Sequence, residues 1–236
     1  MDDQQYYDGS GRYDRETVLF FDVAHEGAQL RAVAEAAQRL DSLRAVDPRS
    51  VVVIATDQIS RAAAQAVVEL RAPLRLPVVV TPVLPSYAGP LDVVVIVGDA
   101  AEDDGVSRAL ITASARGAET VLAGPARGPL LDDAPDATLI IPALPTSAGT
   151  SPLRAFGVLT AVLDALEQPA ELISTRLQAM AEDVDEELRQ LLMDTVDGDL
   201  VEDSLDAVDA VWLWLRSDDD EVADALVDAM RDISDD

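Results

Sequence analysis

The chain has 236 residues, enough for one large domain or for one domain with an appendage. It carries 45 acidic side chains against 17 basic ones, and every basic residue is Arg because the sequence contains no Lys. The absence of Lys and Cys excludes Schiff-base lysines, P-loop lysines, thiol nucleophiles, disulfides and thiolate metal sites. The single His, His25, excludes a site that needs two imidazoles from one chain.

The net charge of −28 also limits the partners. A chain of this charge repels nucleic acids and anionic membranes, so we predict that it binds neither. No apolar run approaches the length of a membrane span, and the first three residues, Met-Asp-Asp, have the wrong charge for a signal peptide. We therefore predict a cytoplasmic protein, and no residue pattern indicates a cofactor.

The charge is unevenly distributed along the chain. Residues 1–168 carry a net charge of −10, whereas residues 169–236 carry −18. This change predicts a flexible N-terminus over residues 1–15, an α/β domain over 16–168 and an acidic helical extension over 169–236. The extension is rich in Leu, Val and Ala, which argues against disorder.

Taken in chain order, the hydrophobic pattern alternates between strands and helices. Residues 17–23 fit either a strand or the start of a helix, and residues 26–43 show helical spacing. Residues 51–55 (VVVIA) are a β-branched run that is typical of a strand buried on both faces of a parallel sheet. The later elements are predicted as helices over 59–70, 105–116, 152–166, 172–193, 201–215 and 221–233, and as strands over 77–81, 92–97, 119–123 and 137–141.

This alternation predicts an α/β fold with three layers around a mainly parallel sheet. Ligands of such sheets bind beyond the carboxyl ends of the strands. The segments that follow the strands are therefore the places to search for a site, and they cover residues 56–60, 81–89, 98–105 and 143–154.

Four short sequences in the segments that follow the predicted strands resemble motifs of a known domain. Residues 55–60 (ATDQIS) follow a strand, residues 83–89 (VLPSYAG) contain an LPxY motif, and residues 98–105 (GDAAEDDG) follow a later strand. Residues 152–157 (PLRAFG) are similar to a Pro-x-Arg-Ala-x-Gly motif. Their order and spacing resemble the sugar isomerase (SIS) domain, in particular the first half of the bifunctional phosphoglucose/phosphomannose isomerases. The resemblance covers roughly residues 26–166.

The resemblance implies a sugar-phosphate ligand and aldose–ketose isomerisation. By its motif Arg154 would be the catalytic cation that stabilises an enediolate, although a surface cation at a helix end or a partner for nearby carboxylates is an equal alternative. Hydroxyl groups that could hold the substrate are those of Thr56, Ser60, Ser147, Thr150 and Ser151. Because SIS domains commonly act in pairs, we expect a homodimer or an association with another SIS chain.

Several residues depart from the family pattern. The loop over residues 98–105 has carboxylates where the family has hydroxyl donors, and these would repel a phosphate. The same loop lacks the spacing of an EF-hand, so no metal site is predicted. The base and the His of a second SIS half have no counterpart. We therefore expect a phosphosugar-binding protein with weak or no isomerase activity, or alternatively a non-catalytic regulatory or scaffold subunit that retains the SIS fold.

Overall fold

A five-stranded parallel sheet lies at the centre of the computed structural model, which describes residues 25–99, 104–144 and 150–195. The spatial order of the strands is β2-β1-β3-β4-β5. The strands are β1 (Ser50–Ala55), β2 (Val78–Thr81), β3 (Asp92–Val97), β4 (Glu119–Ala123) and β5 (Leu139–Ile140). The predicted parallel sheet is confirmed. The elements predicted over residues 17–23, 201–215 and 221–233 lie outside the described residues.

Helices cover both faces of this sheet. They are α1 (Glu26–Ala36), α2 (Gln58–Leu70), α3 (Asp104–Ala115), α4 (Pro129–Asp132), α5 (Pro152–Ala165) and α6 (Ala170–Thr195). The predicted helix over residues 26–43 is α-helical only to its middle and continues as a 3₁₀ helix over Ala37–Ala45. The buried residues of that segment, Ala37, Leu40 and Leu43, are spaced by three, which matches the three-residue turn of a 3₁₀ helix.

The strands supply two separate cores because successive side chains point to opposite faces. In β1, Val51 and Val53 pack with α1, α2, α5 and α6, whereas Val52 and Ile54 pack with α3 and α4. All four side chains are fully buried. The arrangement is the three-layer α/β fold that the β-branched runs predict.

Helix α6 belongs to the first of these cores. Its residues Ile173, Leu177 and Ala181 are buried in the same cluster as Leu30 of α1. An ion pair between Arg31 of α1 and Asp185 of α6 adds a polar contact at the edge. The first part of the predicted extension therefore packs on the α/β body. No helix among residues 25–99, 104–144 and 150–195 is long and apolar enough to cross a membrane.

A buried carboxylate, Asp92, fixes the amino-terminal end of β3. Its oxygens accept hydrogen bonds from Arg49 Nη2 (2.7 Å), Ser50 Oγ (2.7 Å) and the Gly89 backbone N–H (3.0 Å). Burial opposes ionisation, but the bonds from Ser50, Arg49 and Gly89 outweigh it and lower the pKa of Asp92. This group therefore stabilises the fold above the ordinary pKa of Asp, and the stabilisation is lost as the pH falls through the lowered value.

Candidate functional site

The strand order locates the position where this sheet can bind a ligand. The chain passes from β1 outward to β2 and then returns past β1 to β3. The connections that follow β1 and β3 therefore diverge, and in open parallel sheets ligands bind in the crevice at such a switch point. The residues at this crevice are Thr56 and Asp57 after β1 and Gly98 and Asp99 after β3.

The Asp57 carboxylate occupies the amino-terminal end of α2. It accepts hydrogen bonds from the Ser60 backbone N–H (2.8 Å), Ser60 Oγ (3.0 Å), the Asp99 backbone N–H (3.2 Å) and Thr56 Oγ1 (3.4 Å). Backbone N–H groups and hydroxyls at a helix N-terminus are the donors that bind phosphate in other proteins. Here they hold a carboxylate of the chain itself.

Gly98 allows this close arrangement. Its φ of +126° is in the region that favours glycine. A Cβ at this position would lie 2.3 Å from both Asp57 Oδ2 and Thr56 Oγ1. The two side chains therefore fill the space directly above the Gly98 backbone.

A second helix N-terminus at this edge also holds an internal carboxylate. Ser151 caps α5, since its Oγ accepts the Arg154 backbone N–H at 3.0 Å. The same hydroxyl donates to Glu26 Oε2 at 2.8 Å, and the Leu153 backbone N–H donates to that oxygen at 2.9 Å. Glu26 comes from the first turn of α1 and is buried. Its charge suits the partial positive charge at the start of α5.

Arg154 is buried beneath the crevice, with 2 % of its surface exposed. Its Nη1 donates to Asp99 Oδ1 (3.2 Å) and the Ala123 carbonyl (3.3 Å). Its Nη2 donates to the carbonyls of Gly124 (2.8 Å) and Ile141 (3.2 Å). Arg154 thus joins the segment after β3 to the ends of β4 and β5, and within the described residues its Nε has no hydrogen-bond acceptor.

Asp99 lies between the carboxylate of Asp57 and the guanidinium of Arg154. Burial raises its pKa, the charge of Asp57 raises it further, and Arg154 and the Ser151 backbone N–H act against this rise. A raised pKa means that the folded protein binds a proton more tightly than the unfolded chain does. Ionisation of Asp99 therefore costs stability as the pH rises from the ordinary pKa of Asp through the raised value.

Four of the predicted site residues meet at this edge: Thr56, Ser60, Ser151 and Arg154. Thr150 precedes the cap of α5 and is half-buried, and Ser147 lies outside the described residues. Glu26 and Asp57 also lie at this edge as acceptors, and neither was predicted from the sequence. Asp57 could have been found, because Asp directly before the start of a helix is a common N-cap residue. Glu26 could not, because its contacts lie 125 and 127 residues away.

The described part of the chain contains no group of three or more His, Cys, Asp or Glu side chains that could hold a metal ion. Asp99 and Asp57 are the carboxylates of the crevice in that part. Residues 100–103 of the acidic loop lie outside it.

Comparison with known proteins gives one family model and several solved structures. The family described as "Protein of unknown function (DUF3052)" matches residues 176–236, and no curated protein matches the chain. A Salmonella typhimurium LT2 protein, provisionally described as a phosphosugar isomerase, is 16% identical over 69% of this chain and 53% of its own, with a TM-score of 0.51.

Two further structures are similar. A Bacillus subtilis protein with the same provisional description is 15% identical over 70% of this chain and 53% of its own, with a TM-score of 0.48. The sugar isomerase domain of an RpiR transcription factor from Sphaerobacter thermophilus is 20% identical over 66% of this chain and 86% of its own, with a TM-score of 0.42.

At these identities the similarity concerns the fold. The Salmonella structure supports the α/β architecture that the sequence predicts, and this chain spans about half the length of that protein and of the Bacillus protein. The narrower resemblance to one half of the bifunctional phosphoglucose/phosphomannose isomerases stays a prediction.

Proposed function

We propose that this chain is a SIS-fold protein that does not isomerise sugar phosphates and acts as a regulatory or scaffold subunit. One observation carries the proposal. The donors at the switch point, from Thr56, Ser60 and Asp99, already bind the Asp57 carboxylate. A phosphate at this position would have to displace Asp57.

Electrostatics opposes that displacement. Two unit charges 4 Å apart interact by about 4 kcal/mol at an effective dielectric constant of 20. A phosphate in the crevice would meet the two carboxylates of Asp57 and Asp99 and the single guanidinium of Arg154, which is already paired with Asp99. Repulsion therefore exceeds attraction unless the ligand lies closer to Arg154 than to both acids.

Within the described residues, the cation that isomerisation would need at this edge is already engaged. An aldose–ketose isomerase needs a base that moves a proton between two carbons and a cation that meets the enediolate. Arg154 is the cation that the resemblance assigns, and its two terminal nitrogens donate to Asp99 and three backbone carbonyls. Loss of a general base alone removes roughly 10²–10⁴-fold of rate.

Sugar-phosphate binding with weak activity, as in the phosphoglucose/phosphomannose isomerases, is the second candidate. The hydroxyls of Thr56 and Ser60 at the switch point favour it, because they could turn to a ligand if Asp57 moved away. Both candidates keep the expected pairing into a homodimer or with another SIS chain.

A coupled enzyme assay tests the proposal. Purified protein is incubated with glucose 6-phosphate or mannose 6-phosphate, and formation of fructose 6-phosphate is followed beside an authentic isomerase. We expect no rate above the blank, because the described ionisable groups of the crevice, Asp57, Asp99 and Arg154, already bond to one another or to the backbone. Turnover that falls when Thr56→Val removes one hydroxyl would overturn the proposal and support the second candidate.

A further inference from the structure

A cavity of about 360 Å³ lies far from the crevice described above. Its lining includes Val78, the first residue of β2, and Leu163 near the end of α5. Helix α5 begins beside the carboxyl ends of the strands and runs the length of the sheet. The cavity is therefore at the amino-terminal end of the sheet, opposite the switch point.

Charged side chains of both signs surround this cavity. Its lining includes Arg71, Arg75, Asp164 and Glu167, and Arg176 bonds to Asp164 from α6. Asp164 is buried, and its two oxygens accept from Arg71 and Arg176, so one carboxylate neutralises only one of two guanidiniums. The lining holds two guanidiniums and two carboxylates, and Arg176 and Asp47 add one charge of each sign, so the cavity is locally neutral in a chain whose total charge is −28.

Arg75 is the adjustable member of the group. Its side chain is 61% exposed, and its Nε lies 3.3 Å from Glu167 Oε1, whose side chain is 48% exposed. Its Nη2 lies 3.7 Å from Asp47, which is 98% exposed and hence strongly screened by water. Such exposed ion pairs contribute little to stability, so Arg75 can turn toward a ligand at small cost.

The rest of the lining is largely apolar. Leu74, Leu76, Val78 and Leu163 form part of the wall. Cavities of roughly 300–1,000 Å³ with apolar walls and a few charged groups are typical of small-molecule sites. An apolar wall beside guanidinium groups matches a ligand that has an apolar body and one anionic group.

We propose that this cavity binds a small organic monoanion, a carboxylate or sulfonate on an apolar body, with its charge on Arg71 and Arg75. In the described contacts Arg71 uses only Nη2 for Asp164, which leaves its other N–H groups for the ligand. The site is independent of the switch point, so it stands or falls separately from the proposed function.

Fluorescence of 8-anilinonaphthalene-1-sulfonate, an anionic probe with an apolar body, tests the proposal. Titrations at moderate salt limit the general repulsion from the −28 charge. We expect saturable binding at one site per chain, and we expect benzoate to compete with the probe. Arg75→Ala should raise the Kd by about tenfold or more, because it removes a charge-assisted bond.

Arg127→Ala is the matched control, since it removes an exposed arginine from the loop after β4. It should change the Kd by less than about twofold, which separates a local contact from an effect of total charge. Helices α2 and α5 both end beside the cavity, and the partial negative charge at a helix C-terminus favours cations. A cationic naphthalene probe, dansylcadaverine, is therefore titrated in parallel. Tighter binding of this cation, no saturable binding of the anion, or equal effects of the two variants would overturn the proposal.

Discussion

Replacing Arg154 with Met is expected to lower the free energy of unfolding by about 3–5 kcal/mol, because one partner of a buried ion pair is removed. The substitution keeps most of the side-chain volume but leaves Asp99 without its cation. It also leaves the carbonyls of Ala123, Gly124 and Ile141 without the guanidinium donors. A typical domain is stable by only 5–15 kcal/mol, so this loss is a large part of the total.

Chemical denaturation followed by circular dichroism measures this effect. Arg127→Met is the control, because Arg127 is exposed and the substitution should change stability by no more than about 0.5 kcal/mol. An Arg154→Met protein as stable as the parent would show that Arg154 is not a structural clamp. The role that the family resemblance gives to this residue would then regain support.

Gly98→Ala is expected to lower the free energy of unfolding by at least about 3 kcal/mol. The φ of +126° is strained for any residue with a Cβ, which costs about 1–3 kcal/mol. The new Cβ would also displace the Asp57 carboxylate from the start of α2, and loss of a helix cap costs about 1 kcal/mol.

Gly89→Ala separates this effect from a general intolerance of glycine replacement. Gly89 is also buried, but a Cβ there would have its nearest neighbour at 3.8 Å, an ordinary contact. Thermal unfolding of both variants should show a much lower Tm for Gly98→Ala than for Gly89→Ala. Similar values for the two would mean that Asp57 and Thr56 are not packed tightly above Gly98.

The sheet could be predicted because its signal is local. Four of the five strands are runs of β-branched and apolar residues. In β1 and β3, which are buried on both faces of the sheet, such an unbroken run is the expected sequence pattern. The strand predicted over residues 137–141 is shorter in the structure, where β5 is Leu139–Ile140. It lies at the edge of the sheet and has only one neighbouring strand to fix its ends. Positions of the strands then determine where the crevice lies.

The contacts within the crevice could not be predicted, because they join residues that are distant in sequence. Asp57 and the Asp99 N–H are 42 residues apart, and Arg154 and Asp99 are 55 apart. From the sequence, weak phosphate binding is expected because the acidic loop over residues 98–105 would repel a phosphate. The described contacts give a separate argument against phosphate binding, since Asp57 and Glu26 occupy the helix N-termini themselves.

The central claim is that the chain's own carboxylate occupies the donors that a sugar phosphate would need. Amide resonances of Ser60 and Asp99 report on those donors directly, because both N–H groups bond to Asp57. The measurement is a titration of ¹⁵N-labelled protein with glucose 6-phosphate, with the Asp57→Ala variant, in which the donors lose their acceptor, as a comparison. We predict that both resonances of the parent protein stay unchanged up to millimolar ligand. Saturable shifts of both resonances in the parent protein would contradict the claim.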